Sequence, residues 1–285
     1  MILVVGDVMT DILVRPSGPL RLGTDCPAEI SPAAGGSGAN VACWLGRLGV
    51  PVRFAGRVGA GDHTAQIAAF TRHGVEAWLG RDERRASGMI VALIGADGER
   101  SFYTDRSANL ALCAADLPDA LLDGVRLLHV SGYALFAPGP REAVRALIDA
   151  ARRRGIALSI DAGSSAFLQD VSPEAFRFWT RGADICLANA DEAAVLAATD
   201  ADYGCRVVTR GAAGASAWSG AEHASAPAAK VVVRDTAGAG DAFTAGFLAA
   251  WVAGSGLPAC LRAALRCGGV AVGLAGARPD ADIGL

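Results

Sequence analysis

Asp241 closes the run Asp235-Thr236-Ala237-Gly238-Ala239-Gly240-Asp241. Its glycines and alanines let backbone approach a ligand closely. Val231-Val232-Val233, just before, predicts a short strand. Phe243, Phe247, Leu248 and Trp251, just after, recur at helical spacing and predict a helix with one buried face. The junction is then a helix start, whose free N–H groups and positive dipole end suit a phosphate or a developing oxyanion. A carboxylate in that first turn is a base beside an anion hole, the pair that phosphoryl transfer to a hydroxyl requires. Taken alone, the same residues also read as helix caps around a turn.

Ala34-Gly35-Gly36-Ser37-Gly38-Ala39-Asn40 opens a second predicted helix that runs to Gly49. As a dinucleotide fingerprint it is poor. It lacks the third glycine and follows Ser31-Pro32-Ala33 instead of a hydrophobic strand. Gly35 and Gly36 would allow close packing of a small polyhydroxy ligand, with the Asn40 amide on its hydroxyls. A glycine-rich helix start with a solvated Asn40 is the alternative. Asn189 and Glu192 lie on one face of a third helix start. Such a pair either holds a hydrated Mg²⁺ near phosphates or caps its own helix.

Lysine occurs once, at Lys230, so no GxxxxGK[ST] loop exists and phosphate chemistry falls to backbone N–H groups, arginines and metal. The formal charge of −3 points to no nucleic-acid surface. Seven cysteines without a CxxC pair read as reduced thiols of a cytoplasmic protein with no zinc site. The N-terminus enters Ile2-Leu3-Val4-Val5-Gly6 directly, unlike a signal peptide, and no apolar run suits a membrane helix.

These residues need strands and helices in alternation to hold them, and the chain supplies that rhythm, which predicts α/β with a mainly parallel sheet. Strands are predicted over 2–6, 52–56, 126–130, 156–160, 183–187 and 206–209. Helices are predicted after Gly61-Asp62, from about Gly139 to Arg154, and over Leu257–Leu274. Asp62 reads as an N-cap, and His63 and His73 as surface residues. A β-meander is predicted across Ala215–Val233. Asp161, Asn189 and Glu192 fall at carboxyl ends of strands, where open parallel sheets bind ligands. Extended pieces at Asp11–Arg15 and Cys26–Ser31 interrupt the rhythm. With a hairpin of Gly88–Ile94 and Arg100–Tyr103 around Ala96-Asp97-Gly98-Glu99, they predict a separate small sheet.

Four of these signals, in this order and separation, resemble the ribokinase-like (PfkB) carbohydrate kinases across essentially the whole chain. They are Gly35–Asn40, Asn189–Glu192, Thr209-Arg210-Gly211-Ala212-Ala213-Gly214 and Asp235–Asp241. The resemblance implies a single domain over 1–285 with a three-layer α/β fold, a mostly parallel central sheet flanked by helices. It implies a β lid with strands inserted at about 11–33 and 87–106, through which such proteins often form homodimers. It implies ATP-dependent phosphorylation of a hydroxymethyl group. Asp241 matches the catalytic base, and Gly238, Ala239 and Gly240 the anion hole. Asp11, Gly35, Gly36, Asn40 and Asn109 match positions that hold the acceptor. Asn189 and Glu192 match the Mg²⁺ and phosphate motif, with Glu192 reaching Mg²⁺ through water. Thr209, Gly211 and Gly214 match the nucleotide loop. Asp235 and Ala237 match a monovalent-cation site, usually K⁺.

The sequence departs from ribokinase at Met9, Ser37, Ser131-Gly132-Tyr133 and Arg210. All four touch ligand recognition and none touches base or anion hole. Ribose, fructose and a keto-deoxy sugar remain open as acceptors, as does a nucleoside of the pseudouridine or adenosine type. A catalytically idle sugar- or nucleotide-binding protein is the reading from another class, and the intact Gly-Ala-Gly-Asp run speaks against it.

Overall fold

The computed structural model describes residues 1–95 and 100–279, with only the backbone of Arg100. The turn expected at Ala96–Glu99 lies outside the described residues.

Strand β1 (Ile2–Val5) is buried on both faces, which is why it reads as an unbroken apolar run. Ile2 and Val4 point into one core, Leu3 and Val5 into another. Around it, β4 (Val52–Gly59), β5 (Val75–Asp82), β8 (Leu127–Ser131), β9 (Ala157–Asp161), β10 (Ala183–Asn189) and β11 (Tyr203–Thr209) pair in parallel. At one edge β12 (Ala215–Ser219) and β13 (Glu222–Ala226) add antiparallel strands. The order is β13-β12-β11-β10-β9-β8-β1-β4-β5.

Two helical layers cover this sheet. On one face lie α1 (Ser37–Arg47), α2 (His63–Arg72), α8 (Ala239–Val252) and α9 (Leu257–Ala271), with Trp44, Phe70, Phe247 and Leu261 in the core. On the other lie α3 (Tyr133–Phe136), α4 (Pro138–Arg153), α5 (Ser165–Val171), α6 (Pro173–Thr180) and α7 (Ala190–Leu196), packed through Leu135, Leu147, Leu168 and Phe176. The result is the expected helix–sheet–helix sandwich.

A second sheet takes its strands from the segments that broke the rhythm. Its order is β3 (Ala28–Gly35), β2 (Met9–Pro16), β6 (Gly88–Ile94), β7 (Arg100–Asp105). Asp11 stands opposite Ala33 on one side and Ile90 on the other, and Ile90 opposite Thr104. Side chains alternate across a strand. These four therefore share a face with Leu13, Ala92 and Phe102.

Several expectations change. Val231–Val233 form no strand and are 43%, 89% and 61% exposed. The meander stops at Ala226 because Pro227 offers no N–H to continue the ladder. Three β-branched residues without an edge to pair do not make a strand. Instead, the N–H groups of Arg234 and Asp235 both donate to the Val272 carbonyl, steering the chain along α9. α8 is buried continuously from Ala242 to Leu248, so it has no single apolar stripe. A Cβ at Gly246 would lie 2.8 Å from the Ala263 carbonyl oxygen, so its absence lets α8 and α9 touch. α9 ends at Ala271, short of Leu274. Asp62 occupies the N-cap position of α2 but makes no capping bond; its carboxylate accepts from Ser87 and Gln66. His63 and His73 are half-buried, and His63 Nε2 lies 3.0 Å from the Leu79 carbonyl oxygen. The seven cysteines are free thiols. Among the described residues no helix is long and apolar enough to cross a membrane.

Candidate active site

Gly238 turns the chain into α8 with φ +70°, in the left-handed region, and a Cβ there would lie 2.4 Å from the Ala277 carbonyl oxygen. Only glycine fits both demands. Before it, the Asp235 carboxylate accepts from Ala237 N (2.8 Å) and Gly276 N (3.2 Å), joining this loop to the C-terminal turn. The N–H groups of Gly240 and Asp241, in the first turn of α8, have no acceptor among the described residues. The anion hole is expected at Gly238, Ala239 and Gly240; the Ala239 N–H donates to the Thr236 carbonyl, so the open donors here are those of Gly240 and Asp241.

Asp241 is held from α1. Ser37 Oγ donates to Oδ1 and Asn40 Nδ2 donates to Oδ2, both at 2.8 Å. These bonds explain two sequence features at once. Ser37, expected from the sequence to touch ligand recognition alone, bonds the Asp241 carboxylate directly. Asn40 is 4% exposed, and its carbonyl end accepts from Arg278 Nε at 3.2 Å.

The carboxylate faces a cavity of about 620 Å³ between the second sheet and the carboxyl ends of β9, β10 and β11. Asp11, Gly36, Asn40, Asn189, Glu192, Thr209, Asp235, Ala237, Gly238 and Gly240 line it with Asp241. Gly35 does not line it: its carbonyl accepts from Arg278, and its bare Cα makes room for Asp11. Ala239 lies just behind Gly240. Asn109 is placed behind the wall. Its amide bonds Val8 N, Val8 O and the Arg106 carbonyl, pinning the β1–β2 turn and not reaching the cavity. Asn189 and Glu192 form a reciprocal capping box on α7, with Asn189 Oδ1 accepting from Glu192 N and Glu192 Oε2 from Asn189 N. The capping reading is therefore realised, while the other Glu192 oxygen is left outside that pair.

Sequence reasoning missed Arg106 as part of the wall. Its Nε and Nη2 pair with Asp7 at 2.7 and 3.0 Å, and Nη2 also donates to the Tyr133 carbonyl. Local patterning gives no signal for a partner so distant in the chain. Arg278 was missed for the same reason, although it directly follows Gly276-Ala277.

Three carboxylates face one another here. Burial, with Glu192 and Asp241 nearby, pushes Asp161 well above the ordinary range. Glu192 is raised chiefly by burial. Burial also raises Asp241, against the lowering effect of Asn40, Ser37 and Arg278. A general base at Asp241 works only when ionised, so on that reading activity falls as pH drops through the raised value. The acidic limb of a kcat–pH profile is expected above 3.8, the ordinary aspartate value, and a limb at or below it would contradict this electrostatic picture.

Gly211 and Gly214 lie outside this cavity, and Gly214 packs beside a second, apolar one. That groove, about 520 Å³, runs between Ala226–Val231 and the Leu265–Val270 stretch of α9. A Cβ at Gly214 would lie 2.1 Å from the Ala226 carbonyl oxygen, so the Thr209–Gly214 turn packs on the groove wall. A Cβ on Gly268 would be 3.3 Å from the Ala239 carbonyl oxygen, where α9 packs on the start of α8.

This α/β sandwich, with an open helix start, a facing carboxylate and a small sheet over the cavity, has the architecture of a phosphotransferase acting on a small molecule. A family profile described as "pfkB family carbohydrate kinase" matches residues 1–283, and the chain belongs to that family. It is an ATP-dependent sugar kinase of the PfkB type with a ribokinase-like fold. Fructokinase from Klebsiella pneumoniae is 32% identical over 304 residues, covering 96% of this chain and 94% of its own. Adenosine kinase from Sinorhizobium meliloti superposes with a TM-score of 0.87 at 24% identity, covering 98% of this chain and 95% of its own. An Escherichia coli protein described as Ribokinase II, solved with ATP and Mg²⁺, gives 0.86 at 22%, covering 97% and 94%.

Proposed function

We propose that the protein transfers the γ-phosphoryl group of ATP to a hydroxymethyl group of a small neutral sugar, with fructose the first candidate. The observation that carries this reading is the Asp241 carboxylate, fixed by Ser37 and Asn40 at a helix start whose Gly240 and Asp241 N–H groups are open to the cavity. The likeness to fructokinase supports the acceptor class.

Asp241 takes the proton of the acceptor hydroxyl as that oxygen bonds to the γ-phosphorus. The bond to the bridging oxygen breaks and ADP leaves. The Gly238–Asp241 backbone stabilises charge on the moving group. Asp11, which shares the cavity with Asp241 and sits on the small sheet, is placed to accept from acceptor hydroxyls. The apolar groove at Val231 and Leu265 suits the flat base of the nucleotide, with the Gly211–Gly214 turn between it and the phosphates. Closure of the small sheet over the cavity excludes water. The Glu192 oxygen outside the capping pair, with Asp161 nearby, fits a hydrated Mg²⁺, which when bound neutralises phosphate charge. Asp235, at the junction of two loops, fits a monovalent cation beside Ala237. Replacing Na⁺ by K⁺ should raise the initial rate, and equal rates would remove that site from the account.

A nucleoside acceptor is the second reading. Leu13, Ile90, Ala92 and Phe102 on the sheet, with Tyr133 and Phe167 opposite, give the cavity an apolar belt that a base could fill. Incubation with ATP and Mg²⁺ against a panel of sugars and nucleosides, with products identified by mass spectrometry, separates the readings. A fructose phosphate supports the first, and a nucleoside monophosphate the second. Binding of ATP with no product from any acceptor would favour an idle binding protein.

The outer face of the small sheet also carries apolar residues. Ile30, Met89 and Tyr103 are 64%, 45% and 68% exposed and alternate with the cavity-facing side chains. We expect a homodimer through this face. Light scattering should give twice the chain mass, and Ile30→Glu with Tyr103→Glu should halve it; a wild-type monomer at micromolar concentration would reject the interface.

A further inference from the structure

Arg278 is a buried cation without a carboxylate against it. It is 8% exposed, and among the described residues it forms no ion pair. Its Nε donates to Asn40 Oδ1 (3.2 Å) and its Nη2 to the Gly35 carbonyl (2.9 Å). Its guanidinium carbon lies 5.2 Å from the centre of the Phe70 ring. Nη1 is buried with no acceptor among the described residues. Taking such a charge out of water is costly, and an apolar side chain would fill the same space more cheaply.

What the charge does is set by the direction of the Asn40 amide. With Oδ1 facing Arg278, Nδ2 must face Asp241, and it donates there at 2.8 Å. A guanidinium on the carbonyl end also polarises the amide, which strengthens the N–H on the other end. The residues just before Arg278 serve the same place: Ala277 packs under Gly238 with its carbonyl bonded by Trp44 Nε1, and Gly276 N bonds Asp235. The 276–278 turn thus backs the anion hole and the base together.

We propose that Arg278 is a positioning residue for phosphoryl transfer, which through Asn40 orients the Asp241 carboxylate and keeps it ionised. The proposal rests on Asp241 being the general base. The groups facing Asp241 are Ser37 and Asn40 from α1, Asp161 from β9, Glu192 from α7 and Tyr133 from α3. Asp7 nearby is already paired with Arg106. Burial disfavours the charge on Asp241, and Arg278 is the cation that favours it. Its removal therefore makes the base easier to protonate, so the acidic limb of the rate profile moves to higher pH.

The test measures kcat and KM against pH for the full chain with ATP, Mg²⁺ and the acceptor that the panel identifies. The variants are Arg278→Met, Arg278→Lys and Asp241→Asn, each with a thermal melt. Arg278→Met should move the acidic limb up by about one pH unit and lower kcat at neutral pH about 10-fold, with KM for ATP unchanged. Arg278→Lys keeps the charge but loses the fork to Asn40 and Gly35. Its limb should stay near that of wild type while kcat falls about 3-fold. A folded Arg278→Met enzyme with an unmoved limb, or with losses that appear only in the melt, overturns the proposal. If the Met variant does not fold, Arg278→Lys decides: wild-type kcat in that variant overturns it. Turnover surviving in Asp241→Asn would sink the base reading itself, whatever the Arg278 variants do.

Discussion

Asp241→Asn should lower kcat by about 10³-fold while ATP and acceptor bind within a few-fold of wild type. The substitution keeps the size of the side chain, but it removes the lone pair that takes the acceptor proton. Asn40 Nδ2, whose direction Arg278 fixes, donates to the new carbonyl oxygen, and the new amide donates to the Ser37 hydroxyl, which can accept as well as donate. Stability should not follow activity. The fold raises the pKa of Asp241 through burial, so the ionised form is disfavoured in the native state. That unfavourable contribution grows as pH rises through the ordinary carboxylate range and is absent at low pH. A neutral amide escapes it, so at neutral pH the variant should melt at the wild-type temperature or above it. Steady-state kinetics, calorimetric binding and a melt on one preparation check all three statements. A variant that loses binding and stability together would mean that Asp241 is a structural residue.

Gly238→Ala should cost about 10²- to 10³-fold in kcat. Here the cause is backbone geometry. Alanine resists the left-handed conformation at φ +70°, and its Cβ would meet the Ala277 carbonyl oxygen at 2.4 Å and Ala277 Cα at 2.6 Å. Both neighbours are backbone, so the turn must shift, carrying the Gly240 and Asp241 N–H groups away from the phosphoryl group. Gly240→Ala is the matched comparison, since a Cβ there meets nothing within 4 Å. The Gly240 variant should fold with wild-type stability, and the Gly238 variant should melt several degrees lower. Equal melting temperatures and rates would show that the helix start tolerates displacement and is not the anion hole.

The layers of the fold were legible because each strand announces its burial locally. Ile2–Val5 is apolar throughout because helices cover both faces of β1, and the irregular segments at Asp11 and Gly88 proved to be the second sheet. The helix start at Gly238 was legible because left-handed backbone and close approach both require glycine. What failed to show depends on distant partners. Three valines at 231–233 have strand propensity, but only the fold reveals that the chain after them is bonded to the end of α9 and joins no sheet. The spacing of Asn189 and Glu192 is the same for a capping box and for a metal-facing pair. The link of Asn40 to Arg278 spans 238 residues, and the pairing of Arg106 with Asp7 spans 99. Side chains in the middle of a site are read from their own segment, whereas the charges that orient them come from elsewhere in the chain.

The central claim is coupled transfer of a phosphoryl group from ATP to an acceptor hydroxyl. Its most direct test is the yield of ADP and of acceptor phosphomonoester in one reaction, followed by ³¹P NMR with fructose first and then the rest of the panel. The account predicts equal amounts of the two, negligible ADP without acceptor, and neither product with Asp241→Asn. ADP formed without a phosphorylated acceptor, or product formed at the wild-type rate by that variant, would contradict it.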